Sequence, residues 1–219
     1  MDDDTSPLNP AEAAAFRQSV LNVGRAVASQ LSSHPDRTFP ITFIGQLQRN
    51  LDQVMLMPGQ ALACKPGCSH CCHARVEVSP AEAFRIARML QAWPIDELGA
   101  LIERLRSHVA AASEVDDWKK RPACPFLSQH HCTIYEVRPG ACRKAHSLDV
   151  GPCESGEPSI PQSLKLLVAA ESLLKGVQAA YQDHGLEMAA QSLANCVLLA
   201  LTEPELEARW CSGESARAR

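Results

Sequence analysis

Seven of the ten cysteines in this 219-residue chain fall in two short stretches, Cys64, Cys68, Cys71 and Cys72 within 64–72 and Cys124, Cys132 and Cys142 within 124–142. The chain opens Met1-Asp2-Asp3-Asp4 with no apolar stretch behind it, so a cytoplasmic protein is expected. Thiols in that compartment are kept reduced and do not form a disulfide scaffold. Metal or cluster binding is therefore favoured over disulfides and over inert buried thiols as the reason for the crowding.

The spacing supports that reading. The first stretch runs C-x3-C-x2-C-C, with Pro66 and Gly67 between the first two thiols, a pair that forces a turn and folds sulfurs toward one point. Cys71 and Cys72 are adjacent and diverge, so one ion need not take both. The second stretch separates its thiols by longer loops that return to a shared site. Soft thiolates select zinc, Cu(I) or iron–sulfur clusters over magnesium or calcium, and four suffice for a tetrahedral zinc or a [4Fe-4S] cluster. Seven exceed one site, which leaves two ions, or one ion with further reactive or packed thiols, as open alternatives. Cys153 is an eighth candidate but reads rather as a loop thiol, Cys196 as a small buried hydrophobe on a helix, and Cys211 as an exposed thiol in the tail.

Around the cysteines stand His70, His73, His130, His131 and His146, each read as a neighbour of the site rather than a ligand, while His34, His108 and His184 read as surface or cap residues. The cations Lys65, Arg75, Lys119, Lys120, Arg121, Arg138, Arg143 and Lys144 either offset the thiolate charge or are ordinary surface groups. Tyr135 and Arg138 read equally as a structural hinge, the tyrosine packed on the core and the arginine bonding a carbonyl or carboxylate.

Everything outside these stretches has helical periodicity. Asn9-Pro10-Ala11-Glu12 and Ser79-Pro80-Ala81-Glu82 are helix-start signatures. Phe16, Val20, Val23, Val27 and Leu31 mark a first helix, broken at His34-Pro35. Ile44, Leu47, Leu51 and Val54 mark a second, ending near Pro58. Ala83, Ile86, Leu90 and Trp93 predict a third, and Leu98, Leu101, Leu105, Val109 and Ala112 a fourth. Residues 114–121 read as a charged connection and 151–158 as a loop. Ser159, Pro161 and Gln162 predict the start of a helix whose inner face carries Leu164, Leu167, Val168, Leu174, Val177 and Tyr181, with Gly185 as its C-cap. Leu186, Ala190, Leu193, Val197 and Leu201 predict another, a short one begins near Thr202, and the tail after Trp210 reads as disordered. No convincing strand alternation appears. The expected fold is mainly α, a helical bundle around a loop-rich cysteine-cluster metal site: one domain over 1–219, with N-terminal helices in 1–60, the metal-binding core in 61–150 and C-terminal helices in 151–219.

Beyond the cysteines, Cys124-Pro125-Phe126-Leu127 and Cys132-x-Ile134-Tyr135-Glu136-x-Arg138-Pro139-x-x-Cys142-Arg143 are distinctive. Together with the first stretch they resemble the YkgJ-type cysteine-cluster family, described as a zinc- or iron-chelating domain. The resemblance covers about Ala61 to Ser147 and implies metal chelation by the matching cysteines. It departs at His70, where the family usually has glycine. Some relatives that methylate flagellin lysines carry a similar cysteine module, but the motif by itself does not import that activity.

Composition narrows the function further. A formal net charge of −4, with 46% hydrophobic and 21% charged residues, fits a globular protein and speaks against a nucleic-acid-coating one. No apolar run approaches the ~20 residues of a membrane span. The partner expected is a metal ion, as zinc or an iron–sulfur cluster, with no nucleic acid and no membrane, and a protein partner left open. The expected function is metal binding for metal handling, redox sensing or an adaptor role. The alternative is an iron–sulfur-dependent enzyme, protein-lysine methylase-like or radical-SAM-like, since Cys64, Cys68 and Cys71 share the radical S-adenosylmethionine spacing. That chemistry uses alternating strands and helices, which this chain does not predict.

Overall fold

In the computed structural model, which describes residues 8–59, 61–113 and 122–216, helices dominate as expected. The first is α1, Pro10–Ser33, closed at its start by a capping box. Asn9 Oδ1 accepts from the Glu12 N–H at 2.9 Å, and Glu12 Oε2 accepts from the Asn9 N–H at 2.9 Å. Then come α2, Phe39–Met55, and α3, Pro80–Leu90, the latter opened by the same device between Ser79 and Glu82. The fourth helix, α4, spans Ile95–Ser113. The predicted connection at 114–121 lies outside the described residues.

Two hydrophobic cores result. Ile41, Ile44, Leu47 and Leu51 of α2 pack with Phe84, Tyr181 and Trp210 in the first; Ile86, Leu90, Leu101, Leu105, Phe126, Ile134 and Val197 form the second. Helix α3 serves both, giving Ala81 and Phe84 to one core and Ala83, Ile86 and Leu90 to the other. Helix α7, Leu164–Asp183, lies against α1 at backbone distance. A Cβ on its Gly176 would stand 2.5 Å from the Val23 Cβ and 2.9 Å from the Val20 carbonyl oxygen.

Several expectations are corrected in the C-terminal third. Residues 151–158 are not all loop: Gly151–Ser155 forms α6, with Pro152 in its first turn and Gly156 ending it at φ +67. Helix α7 starts later than predicted, after its N-cap Ser163, because the Pro161 carbonyl is taken by the Leu148 N–H at 2.8 Å. Its buried face is Leu166, Ala170, Gly176, Val177 and Tyr181, and Leu164 is exposed. Gly185, at φ +75, does follow the helix end. Leu186 to Ala190 are not helical; α8 is Leu193–Thr202.

Ahead of α8, Gln191–Ser192 (β4) pairs antiparallel with Glu77–Val78 (β1), a short ladder between distant segments that local alternation does not announce. A second ladder, Leu127–Ser128 (β2) with His131–Cys132 (β3), is a hairpin within the cysteine region. After α9, Leu206–Cys211, the tail is anchored through Ala216: Glu187 Oε2 accepts from the Ala216 N–H at 2.7 Å and from the Ser215 hydroxyl at 2.9 Å. Cys211 is half-buried against the first core rather than exposed.

Candidate metal centre

The first cysteine stretch is built from two tight turns. Cys68 N–H donates to the Lys65 carbonyl at 3.0 Å, with Pro66 and Gly67 at the corners and Gly67 at φ +84, a conformation that glycine takes without strain. Residues His70–His73 then form one 3-10 turn, bonded from the Cys72 N–H to the Ser69 carbonyl (3.0 Å) and from Ala74 to Cys71 (3.1 Å). Between them these turns fold four thiols into nine residues of chain with no regular helix long enough to bury them.

The second stretch is joined to the first directly. The Cys124 N–H donates to the Cys72 carbonyl at 2.7 Å, the link that closes the two stretches on each other. Cys124 and Cys132 each stand two residues before a fully buried residue, Phe126 and Ile134. The hairpin fixes Cys132 opposite Leu127. Its two turn residues, Gln129 and His130, both take positive φ (47 and 63), as a type I′ turn requires, although neither is glycine. His130 Nδ1 lies 3.1 Å from the Ser69 hydroxyl, tying the hairpin tip to the first stretch. Cys142 rides on α5, Gly140–Lys144. Its first residue, Gly140, packs closely, since a Cβ there would meet the Leu174 side chain at 2.7 Å, and its N–H donates to Glu82 Oε1 at 2.7 Å.

Electrostatics groups the thiols. Burial is the largest cause pushing Cys142 up to about 12, Cys124 up to about 11 and Cys132 upward, and neighbouring thiols add to it: Cys124, Cys71 and Cys132 on Cys142, Cys132 and Cys71 on Cys124, and Cys71 on Cys132. Cys72 donates to Cys71, which holds Cys71 below and Cys72 above the ordinary thiol range. Cys64 is raised chiefly by burial, with Cys68, Cys71 and Cys153 adding to the rise. Cys153, read from sequence as a loop thiol, is thus beside the cluster, carried there by α6, which packs on the His70–His73 turn. Nothing local in the sequence signals this. Cys196 is buried in the second core, as expected.

The histidines divide. His146 is 2% exposed and fully engaged, Nδ1 against the Lys144 carbonyl at 2.8 Å and Nε2 accepting from the Ser163 N–H at 2.9 Å, so neither nitrogen faces an ion. His131 Nδ1 meets the Gln129 carbonyl at 2.7 Å. His108, read as a surface residue, instead helps line a cavity of about 340 Å³ together with His73, Arg75, Cys124, Ser192 and Asn195.

Two arginines underlie the cluster. Arg143, 5% exposed, pairs with Asp52 of α2, and donates from Nε to the Arg138 carbonyl (2.9 Å) and from Nη2 to the Glu136 carbonyl (2.6 Å). It pins the loop between Cys132 and Cys142 to the helical frame. Arg138 lies 3.6 Å from the same carboxylate and stacks 4.0 Å over the Tyr135 ring, which is 59% exposed rather than packed in the core. Of the other cations, Arg75 pairs with Glu77 at 3.5 Å and Lys144 with Glu171; Lys119, Lys120 and Arg121 lie outside the described residues.

Among the described residues, no three Cys, His, Asp or Glu side chains stand as a group that would hold an ion. The donor set nevertheless fits zinc or iron. It is all thiol, and it is gathered on one backbone framework. Protonated thiols have no attraction that would draw them together, whereas a cation exchanged for their protons does.

Comparison with known proteins agrees. Residues 63–155 match a family model, CxxCxxCC, described as "Putative zinc- or iron-chelating domain". The label puts two residues between the first cysteines, where this chain has the three of the Lys65-Pro66-Gly67 turn. No curated protein and no solved structure matches the chain.

Proposed function

From the match of residues 63–155 to the zinc- or iron-chelating cysteine-cluster model, we propose that this chain chelates zinc or an iron–sulfur cluster through Cys64, Cys68, Cys71, Cys72, Cys124, Cys132 and Cys142, with Cys153 as an eighth thiol. The observation that supports the reading is the 2.7 Å bond from the Cys124 N–H to the Cys72 carbonyl, which joins two stretches far apart in sequence. Soft, uncharged donors that must lose protons on binding make the site respond to both metal supply and oxidation, which suits metal handling or redox sensing in the cytoplasm. No described helix is long and apolar enough to cross a membrane.

The test is anaerobic purification followed by metal analysis and an absorption spectrum. Stoichiometric zinc in a colourless sample, or iron and sulfide with a broad band near ~400 nm, supports chelation and identifies the metal. A protein that takes up neither metal on reconstitution overturns it.

The cavity against Cys124 favours a second reading, an iron–sulfur-dependent enzyme, because a substrate there would lie beside the cluster. A protein-lysine methylase-like activity needs that cavity to admit a side chain. A radical-SAM-like one meets a mainly helical frame whose described strands form only two short ladders. Cleavage of S-adenosylmethionine by the reduced, iron-loaded protein discriminates the radical reading from plain chelation.

A further inference from the structure

Arg85 of α3 is a half-buried arginine with no acidic partner among the described residues. Its Nε–H donates to Gln48 Oε1 at 3.0 Å, and Gln48, itself 2% exposed, donates from its other end to the Val137 carbonyl at 3.3 Å. A buried amide of α2 thus holds the guanidinium in place. The guanidinium lies against Gly45, where a Cβ would stand 2.8 Å from its Cζ and 3.0 Å from each Nη. Neither Nη has a hydrogen-bond partner among the described residues. Arg85 lines a cavity of about 290 Å³ between α2 and α3, with Ile41, Thr42, Arg88, Met89 and Val137. Arg88, one turn along the same helix face, bonds Glu207 through Nε (3.2 Å) and Nη2 (2.6 Å), which leaves its Nη1. The Thr42 hydroxyl is likewise unpaired among the described residues, and no carboxylate of theirs lines the cavity.

We propose that this cavity binds a small phosphomonoester, its phosphate held by the Nη edge of Arg85, Nη1 of Arg88 and the Thr42 hydroxyl, and its organic part against Ile41, Met89 and Val137. Donors from three residues match the several oxygens of a tetrahedral phosphate, whereas one guanidinium fork would satisfy a carboxylate. The charges that act on Arg85 are those of Arg49 and Arg143, both cations, and together with burial they lower its pKa from the ordinary arginine value. A bound anion relieves that strain of like charges. The volume, at the lower end for ligand pockets, sets a small ligand. Because Gln48 and the bare Gly45 hold the fork in advance, little ordering is left to be done on binding. No cysteine lines the cavity, so the inference goes beyond chelation and stands without it.

The experiment titrates phenyl phosphate, inorganic phosphate and phenol into the full chain as purified, in phosphate-free buffer, read by calorimetry and by the methyl resonance of Met89. Phenyl phosphate is expected to bind once per chain and to shift the Met89 methyl, inorganic phosphate to bind more weakly, and phenol not to bind. Arg85→Lys, which keeps the charge but not the fork, and Gly45→Ala, which fills the seat of the guanidinium, each lower the affinity about 10-fold or more, with the metal content of the parent. Arg49→Gln, at an exposed arginine outside the cavity, stays within about 2-fold. Absence of phenyl phosphate binding to the unaltered protein, a folded Arg85→Lys variant with parental affinity, or an equal loss in Arg49→Gln overturns the site. Inorganic phosphate binding as tightly as phenyl phosphate overturns the organic ligand. None of these results bears on the metal content, which is measured separately.

Discussion

The Cys124 amide donates to the Cys72 carbonyl at 2.7 Å, so the two cysteine stretches meet through backbone, not through side chains alone. The convergence therefore survives the loss of any single thiol. Cys68→Ser and Cys71→Ser are expected to lower bound metal several-fold while leaving the metal-free helicity unchanged, and Cys153→Ser to lower it by a smaller factor. Cys196→Ser should leave metal content at the parental level and lower stability instead, by ~1 kcal/mol or more, since it buries a hydroxyl in the second core. Metal analysis of the four variants, with circular dichroism, checks the assignment; equal content in all four refutes it.

Thiol reactivity should follow the electrostatic grouping. Cys71, held low by the hydrogen bond from Cys72, carries more thiolate at neutral pH than any other thiol shifted by its surroundings, and it is exposed. Brief alkylation of metal-free protein near pH 7, read by peptide mass spectrometry, is expected to mark Cys71 first and Cys142 and Cys196 last. Metal should protect Cys71 together with the other proposed ligands and leave Cys196 and Cys211 reacting as in the metal-free protein.

Metal uptake and stability depend on pH in opposite senses. Burial keeps Cys124 and Cys142 protonated at neutral pH, so loading must release their protons, and apparent affinity should rise with pH; a weakly buffered indicator titration counts them. For the metal-free fold the sign reverses. Cys196 is raised from 9.0 to about 12, so its contribution is complete below pH 9 and is lost as pH climbs toward 12, where the unfolded chain ionises first. Denaturant melts between those values should fall with pH, and Cys196→Ala should make the fall shallower by at most ~1.4 kcal/mol per pH unit.

Helix packing far from the cysteines gives an independent check on the frame. Gly176→Ala would set a methyl 2.5 Å from Val23, with the Val20 carbonyl behind it, and a rigid helix pair has no easy way to yield. A loss of ~1–3 kcal/mol in unfolding free energy is expected, with metal content unaffected.

The helices were legible because their signals are local. Asn9 and Ser79 cap through a glutamate three residues on, and the apolar rows of α2 and α4 repeat within one segment. Where the sequence misled, the deciding partner was distant. Pro161 looks like a first helical residue, but its carbonyl is taken by Leu148, so the helix waits for Ser163. Leu186 and Ala190 keep the spacing of a helix, yet the chain there runs toward the Gln191–Ser192 ladder with Glu77–Val78. The two cysteine stretches were readable as a group. That Cys153 stands near Cys64, and that Arg138 and Arg143 share Asp52, follows from packing between α6, α2 and the loops, which no spacing encodes.

Helix α3 faces a core on either side and, through Glu82, holds the amide that begins the Cys142 helix. A disturbance at Cys142 is thereby passed to a helix that packs into both cores. Because Phe84 of that helix packs on Trp210, tryptophan fluorescence is the natural reporter of what metal addition or removal does to the frame.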